Sequence, residues 1–362
     1  MNDSHMLDIA DVQVGPGETR DLELRASQDY SGRAIDVPIR VWRGPAPGPV
    51  VFITAAVHGD ELNGTGAVRE VILNPPFELT CGSLVLVPVV NVLGFERRAR
   101  YLPDRRDLNR CFPGSAEGSM ASRLAHTIFR KVLVRCDYGI DLHTAALRRT
   151  NFPHVRGDLK DPAVRHLAQA FGSEVIVNAR GPRGSLRRAA CAAGCAAIML
   201  EAGEVWKVEP TVLEYAVRGI RNVLIGLGLI KGKPRAPTYQ AVVERSTWLR
   251  ASAGGILQFH VAPGDVVPQG AAIATQTTLL GRPVGTLTSP VDGIVLGMST
   301  LPSTAPGDPV CHLAIPQGGI EPIRAAVAKA SGGSLHERLR DDLASSLTIS
   351  RAAKVAGDKP DP

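Results

Sequence analysis

Four short clusters hold the side chains that could do chemistry, and each follows or closes an apolar run. The first is Val57-His58-Gly59-Asp60-Glu61. A tight turn at the end of a strand can aim His58 and Glu61 at one point. In open α/β sheets ligands lie outside the carboxyl ends of strands, where this turn falls. The plainer alternative makes Asp60 and Glu61 first-turn acids that complement a helix dipole, with His58 a loop histidine. The second cluster, Gly139-Ile140-Asp141-Leu142-His143-Thr144, ends another apolar strand. Two histidines and one glutamate at strand ends form a set that suits a catalytic Zn²⁺, whose fourth position stays open for water. Alone, His143 reads as a core histidine bonded to Asp141. With His58 and Glu61 beside it, the metal reading leads.

The third cluster is Arg100-Tyr101-Leu102-Pro103-Asp104-Arg105-Arg106-Asp107-Leu108-Asn109-Arg110-Cys111-Phe112-Pro113-Gly114. It follows an expected strand, and such a mixture is ordinarily a solvated loop. Yet Asn109 beside Arg110 combines an amide donor with a planar guanidinium fork, a suitable grip for a carboxylate. Arg100 could stabilise a developing oxyanion. Asp107 could accept the second ring N–H of a metal-bound histidine. The fourth cluster is Ile198-Met199-Leu200-Glu201-Ala202-Gly203-Glu204. Glu201 closes an apolar strand, so partial desolvation and a nearby cation would poise it as a general base. The alternative is an N-cap acid for the next helix, a role that suits Glu204 better.

These clusters need a scaffold that brings strand ends together. From about residue 49 to 230, apolar runs alternate with helical periodicity. Strands are expected near 50–57, 83–90, 136–142, 174–177 and 196–200. Helices are expected at 62–73, 119–134, 162–171, 186–193 and 209–229. This alternation predicts an α/β domain with a mainly parallel or mixed sheet and helices on both faces. Residues 1–48 read as a lead-in hairpin on the sheet edge, and 231–237 as a linker. From about 239 to 316, dense Gly, Pro and Asp turn signals predict a small all-β domain. Val266 after Pro263-Gly264-Asp265 is echoed by Pro309 after Pro306-Gly307-Asp308. The echo resembles a biotinyl/lipoyl-type sandwich without a cofactor lysine at its hairpin tip, so it reads as a scaffold or pocket wall. Residues 317–362 form a polar tail, with a surface helix near 334–347 and about ten disordered residues at the end. The division is therefore 1–232, 239–316 and 317–362.

Composition narrows the function. At about 150 residues per domain, 362 residues suggest two or three domains. With 44% hydrophobic and 21% charged residues, the chain should fold rather than stay disordered. Only 4% is aromatic, which leaves few stacking platforms for single strands. A net charge of +6, without a basic run, argues against a nucleic-acid partner. Arg97-Arg98-Ala99-Arg100 and Arg105-Arg106 instead suit an anionic small molecule. No segment approaches the roughly 18 apolar residues of a membrane span. The beginning of the chain lacks a basic-then-apolar signal, and the cysteines form no CxxC pair, so reduced thiols and a cytoplasmic location are expected. The β domain offers edges for pairing in a homo-oligomer.

The ordered set HGDE, RYLPDRRDLNRCFPG, DLH and LEAGE, spread over roughly residues 45–230, resembles the succinylglutamate desuccinylase/aspartoacylase family. That family belongs with the zinc-carboxypeptidase-like hydrolases and often carries a C-terminal β domain. The resemblance implies a mixed sheet flanked by helices and one Zn²⁺ per chain, held by His58, Glu61 and His143. It implies Glu201 as the base that activates water and passes the proton to the leaving amine. Arg100 takes the position that polarises the scissile carbonyl, with Arg98 as the other register. Asn109 and Arg110 grip a substrate carboxylate, Asp107 supports His58, and Arg187 or its neighbour Arg188 adds a substrate contact. The implied reaction cleaves the amide of an N-acyl amino acid or a related small amide. Two other readings stay open, a zinc carboxypeptidase acting on peptides and a non-catalytic ligand-binding protein. A base beside the metal argues against the latter. The aspartoacylase branch sends a tyrosine from its C-terminal domain into the pocket. Tyr239, the only tyrosine after the linker, gives no clear match, which points to the broader deacylase branch.

Overall fold

The computed structural model describes residues 6–330, 332–347 and 349. The chain divides into two compact units, residues 1–147 with 153–242, and residues 148–152 with 243–362.

The first unit opens with the short antiparallel pair β1 (Leu7–Ile9) and β2 (Val12–Val14). The hairpin β3 (Thr19–Gln28) and β4 (Ala34–Arg43) follows. Next come β5 (Ala46–Ala55), α1 (Leu62–Leu73), β6 (Cys81–Val87), α2 (Val92–Glu96) and α3 (Met120–Lys131). Then follow β7 (Tyr138–His143), β8 (Arg149–Gly157, of which residues 153–157 belong to this unit), α4 (Pro162–Phe171), β9 (Val175–Asn178), α5 (Leu186–Ala192), β10 (Ala196–Gly203) and α6 (Pro210–Gly226). The sheet runs β9-β8-β10-β7-β5-β6-β4-β3. Its centre is parallel, through β10–β7, β7–β5 and β5–β6, and the β3–β4 hairpin closes one edge antiparallel. This is a mixed α/β architecture.

Local chemistry explains these elements. Val51, Phe52, Ile53, Ile140, Leu142, Ile198 and Leu200 are buried, as a parallel strand covered on both faces requires. The Ser119 hydroxyl caps α3 by accepting from Ser122 N. Asp161 caps α4 through Ala163 N and Val164 N, Pro162 starts it, and Gly172 ends it at φ 77°. Tyr239 lies in this unit, buried, and burial and the Glu174 charge hold its hydroxyl above the ordinary phenol range.

Two sequence expectations need correction. The segment between His143 and α4 contains β8, where the sequence suggested no strand. Pro153 interrupts the run, and charged and apolar residues mix there, so the strand signal is weak. Glu204 does not cap the next helix. Glu209 occupies the N-cap position of α6, while Glu204 pairs with Lys207 Nζ at 2.7 Å.

The second unit is rich in β structure: β11 (Ala241–Arg250), β12 (Gly255–Phe259), β13 (Val266–Val267), β14 (Ala272–Thr277), β15 (Pro283–Thr288), β16 (Gly293–Ser299), β17 (Ser303–Thr304) and β18 (Pro309–Pro316). One antiparallel set runs β13-β16-β18-β11 and another β15-β14-β12-β17. Leu257, Phe259, Ile273, Val295 and Leu313 belong to its core. Within the expected polar tail lie two helices, α7 (Glu321–Lys329), which was not expected, and α8 (Leu335–Ala344), near the helix expected at 334–347. α8 is not a free surface helix: Leu339 and Leu343 are buried, and Arg340 Nε donates to Asp265 Oδ1 at 2.5 Å. The expected disorder at the chain end lies outside the described residues. Among these residues no helix is long and apolar enough to cross a membrane.

One contact in the first unit bears directly on the strand-end turn. A Cβ on Gly59 would come within 2.0 Å of the Gly94 carbonyl carbon and 2.2 Å of Phe95 N. Both are backbone atoms of α2, so neither can swing aside. Gly59→Ala is expected to destabilise the protein by about 1–3 kcal/mol through overpacking, read as a lower Tm in thermal denaturation. An unchanged Tm would show that the turn has slack.

Candidate active site

Strand register sets the site. Ala55 pairs with Leu142, and His143 pairs with Glu201, so the ends of β5, β7 and β10 lie at one level. Beyond β5, Ala56 adopts φ 49°, a left-handed conformation that turns the chain sharply before His58. His58 Nδ1 lies 2.6 Å from Glu61 Oε1, and His143 Nδ1 lies 2.8 Å from Glu61 Oε2. Thr144 N donates to Glu61 Oε2 at 3.2 Å. All three side chains are buried, and their ligand atoms lie within 4.8 Å of one another. The far side of each imidazole also meets a carboxylate. His58 Nε2 is 3.2 Å from Asp107 Oδ1, and His143 Nε2 is 2.8 Å from Asp141 Oδ2. Thr54 Oγ1 in turn donates to Asp141 Oδ1 at 2.8 Å. His143 therefore combines both readings of the sequence, bonded to Asp141 through one nitrogen and facing Glu61 through the other. Two nitrogens and one carboxylate, with each imidazole oriented from behind, fit a divalent ion of the Zn²⁺ type.

The electrostatics follow from this crowding. Burial opposes charge on Glu61, but the two histidines outweigh it and hold its carboxyl well below the usual range. Burial likewise disfavours imidazolium, yet the Glu61 charge and the Asp107 bond raise His58, and Asp141 and Glu61 raise His143 further. Asp107 is held low against its own burial by His58, Arg100 and Arg110.

Arg100 joins the same network. Its Nη1 is 3.2 Å from Glu61 Oε1 and its Nη2 is 3.3 Å from Asp107 Oδ2. Of the two candidate registers, Arg100 makes these bonds and Arg98 is exposed. Asp107 Oδ1 also accepts from Asn109 N at 2.8 Å, capping a 3-10 turn at Leu108–Arg110. Asn109 is buried, and its side-chain oxygen accepts from Leu186 N at 2.9 Å at the start of α5. Arg110, expected to grip a carboxylate together with Asn109, does not share its burial. It is exposed, and its Nη1 donates to the Asn109 carbonyl at 2.7 Å. The tight turn buries Leu108 and Asn109 and leaves the third residue outside.

On α5, Arg187 is only 2% exposed, and its Nε and Nη1 are buried without a hydrogen-bond partner. Burial lowers its pKa, and nearby Arg156 adds repulsion. Its neighbour Arg188 instead donates Nη1 to the Gly181 carbonyl at 3.1 Å. Glu201, 16% exposed at its side chain, has Arg156 Nε 3.9 Å from its Oε1. Arg156 Nε also donates to the buried His154 Nε2 at 3.1 Å. No expectation drawn from the sequence covered β8 or this basic pair. Its signal was the two-residue spacing, which puts both side chains on one face of a strand.

A model of the succinylglutamate desuccinylase/aspartoacylase catalytic domain matches residues 47–227. Among curated relatives, the chain is similar to the N-alpha-acetyl-L-2,4-diaminobutyric acid deacetylase of Halomonas elongata. The identity is 28% over 266 residues, 70% of this chain and 78% of the relative. Among solved structures it resembles a succinylglutamate desuccinylase/aspartoacylase from Rhodobacter sphaeroides. That match has 26% identity and a TM-score of 0.71, covering 83% of this chain and 96% of the other. The product-bound ectoine utilization protein EutE from Ruegeria pomeroyi shares the fold at 24% identity and TM-score 0.71, over 82% and 95% of the two chains.

The raised histidines predict how protons and metal compete. Without metal, pairing with Glu61 stabilises the fold fully below the ordinary imidazole value of about 6.5, and this is lost as pH rises through the raised values. A metal ligand must be neutral imidazole, so binding expels protons. Zn²⁺ titration by calorimetry, in buffers of different ionisation heat, should show proton release at pH 7 and weaker binding as pH falls. Binding without proton release would mean that the imidazoles are neutral in the metal-free protein.

Proposed function

The chain belongs to the succinylglutamate desuccinylase/aspartoacylase family, and on that footing we propose that it is a zinc-dependent deacylase that hydrolyses the amide bond of an N-acyl amino acid. The observation that carries this reading is the His58–Glu61–His143 cluster with Glu201 in register beside His143. The named activity of the Halomonas elongata relative, an N-acetyl amino acid deacetylase, supports the same reaction class. We read the second unit as a biotinyl/lipoyl-type sandwich that serves as scaffold.

His58, Glu61 and His143 would hold the ion, which when bound supplies Lewis acidity and makes water a competent nucleophile near neutral pH. Asp107 and Asp141 keep the two imidazoles oriented from behind. Glu201 takes a proton from the attacking water and returns it to the nitrogen of the leaving amine. As the carbonyl carbon becomes tetrahedral, negative charge grows on its oxygen, and the Arg100 guanidinium donates to that oxygen. The buried, unpartnered donors of Arg187 suit a substrate carboxylate. Asn109 supports Arg187 by fixing the start of α5 through Leu186. Arg110, being exposed, would meet a carboxylate without first giving up a buried position.

Metal-loaded protein should release primary amine from a panel of N-acyl amino acids. A panel with no release would end the deacylase reading. Glu201→Gln should keep the metal and lose about 100- to 10,000-fold in kcat. Metal analysis of that variant separates base from ligand, because loss of the ion would make Glu201 a ligand. Arg187→Ala should lower kcat/KM for a carboxylate substrate about 10- to 150-fold more than for its neutral amide analogue. Equal losses on the two substrates would remove Arg187 from carboxylate recognition.

A further inference from the structure

Trp206 follows β10 by three residues and has no role in the chemistry described above. Its backbone is left-handed, at φ 63°, a conformation that disfavours a bulky side chain. Its side chain does not offset that strain by burial, because the residue is 54% exposed. Two hydrogen bonds hold it instead. Trp206 N donates to the Asp60 carbonyl at 2.8 Å, and the indole Nε1 donates to the Arg98 carbonyl at 3.0 Å. Asp60 adjoins Glu61, and Arg98 precedes Arg100 by two residues.

Arg98 is itself left-handed, at φ 51°. The turn that carries it leaves the end of α2 through Arg98 N to the Phe95 carbonyl, 3.0 Å, and Ala99 N to the Gly94 carbonyl, 2.9 Å. The Arg100 carbonyl is tied back by Asn91 Nδ2 at 3.3 Å. Those bonds lie within one segment. Among the described residues, the indole of Trp206 is the donor that reaches the Arg98 carbonyl from another segment, the one that also carries Glu201.

We propose that Trp206 is a positioning residue that locks the Arg100 turn to the Glu61 loop and to the end of β10. The inference rests on Arg100 as the donor to the developing oxyanion. The backbone bond to Asp60 survives any substitution other than proline, so the specific contribution of tryptophan is its indole N–H. Without it, the Arg98 carbonyl turns to water, the fold changes little, and the backbone that presents the Arg100 guanidinium to Glu61 and Asp107 loosens, so the donor is held less closely in place. A misplaced donor weakens stabilisation that arises in the transition state, and this lowers kcat while leaving substrate binding nearly intact.

The test is Trp206→Phe, which keeps an aromatic side chain and deletes the donor. In the metal-loaded full chain, kcat should fall about 10- to 100-fold. KM should stay within about twofold, bound metal should be unchanged, and Tm should stay within a few degrees. Hydrogen–deuterium exchange over residues 97–101 should become about 2- to 12-fold faster, with the β5 and β7 core unaffected. A rise in KM at constant kcat would make Trp206 a substrate wall and overturn the proposal. Unchanged exchange over 97–101, or wild-type kcat with faster exchange, would overturn it as well. If the wild-type protein hydrolyses no N-acyl substrate, the deacylase reading fails separately, and exchange over 97–101 alone then decides whether Trp206 holds the turn.

Discussion

Glu61 is a fully buried carboxylate, and a buried charge is tolerated only when it is paired and hydrogen-bonded. Its partners come from distant parts of the chain: His58 from its own turn, Arg100 from the turn after α2, and His143 with Thr144 N from the end of β7. Meeting all four at once requires β5 and β7 to be adjacent and in register. It also requires the abrupt turn at Ala56 and close approach of Gly59 to α2. Misalignment of any one segment would leave charge uncompensated in the interior, so the folded geometry and the chemistry of the site impose the same constraint.

Around that carboxylate the charges are layered. Asp107 and Asp141 lie behind the imidazoles, and Arg100 bridges Glu61 and Asp107. In the metal-free protein the positive charge facing Glu61 comes from protons on the histidines and from Arg100. A divalent ion bound there would replace those protons and leave the outer carboxylates in place, so the outer acids would fix ring orientation in both states.

The side of the site formed by α5 and β8 is built differently. Arg187 is buried with unused donors, and Arg156 stands beside Glu201. Buried arginine is normally paired with an acid, and an anionic substrate of the proposed kind would supply the missing partner. Asn109 links this region to the His58–Glu61–His143 cluster, since the turn that begins at Asp107 also fixes the first residue of α5 through Leu186.

Much of this layout was legible in the chain alone. HGDE, DLH and LEAGE each follow an apolar run, and a buried parallel strand that ends in polar residues marks the functional edge of an α/β sheet. The alternation of runs with helical periodicity was enough to indicate a mixed α/β domain, and dense turn signals marked a β-rich second part. Other features were decided by tertiary structure. Which of Arg98 and Arg100 reaches Glu61 depends on the left-handed turn at Arg98 and on its bond to Trp206, a residue distant in sequence. The burial of Arg187 and the exposure of Arg110 depend on one helical turn and one 3-10 turn packed against each other. β8, with His154 and Arg156, was hidden by Pro153 and by charges that only a neighbouring strand could accommodate. Local pattern specifies an element and the edge at which it ends. The direction in which a long side chain leaves a turn is set by partners far along the chain, and those partners exist only once the strands are in register.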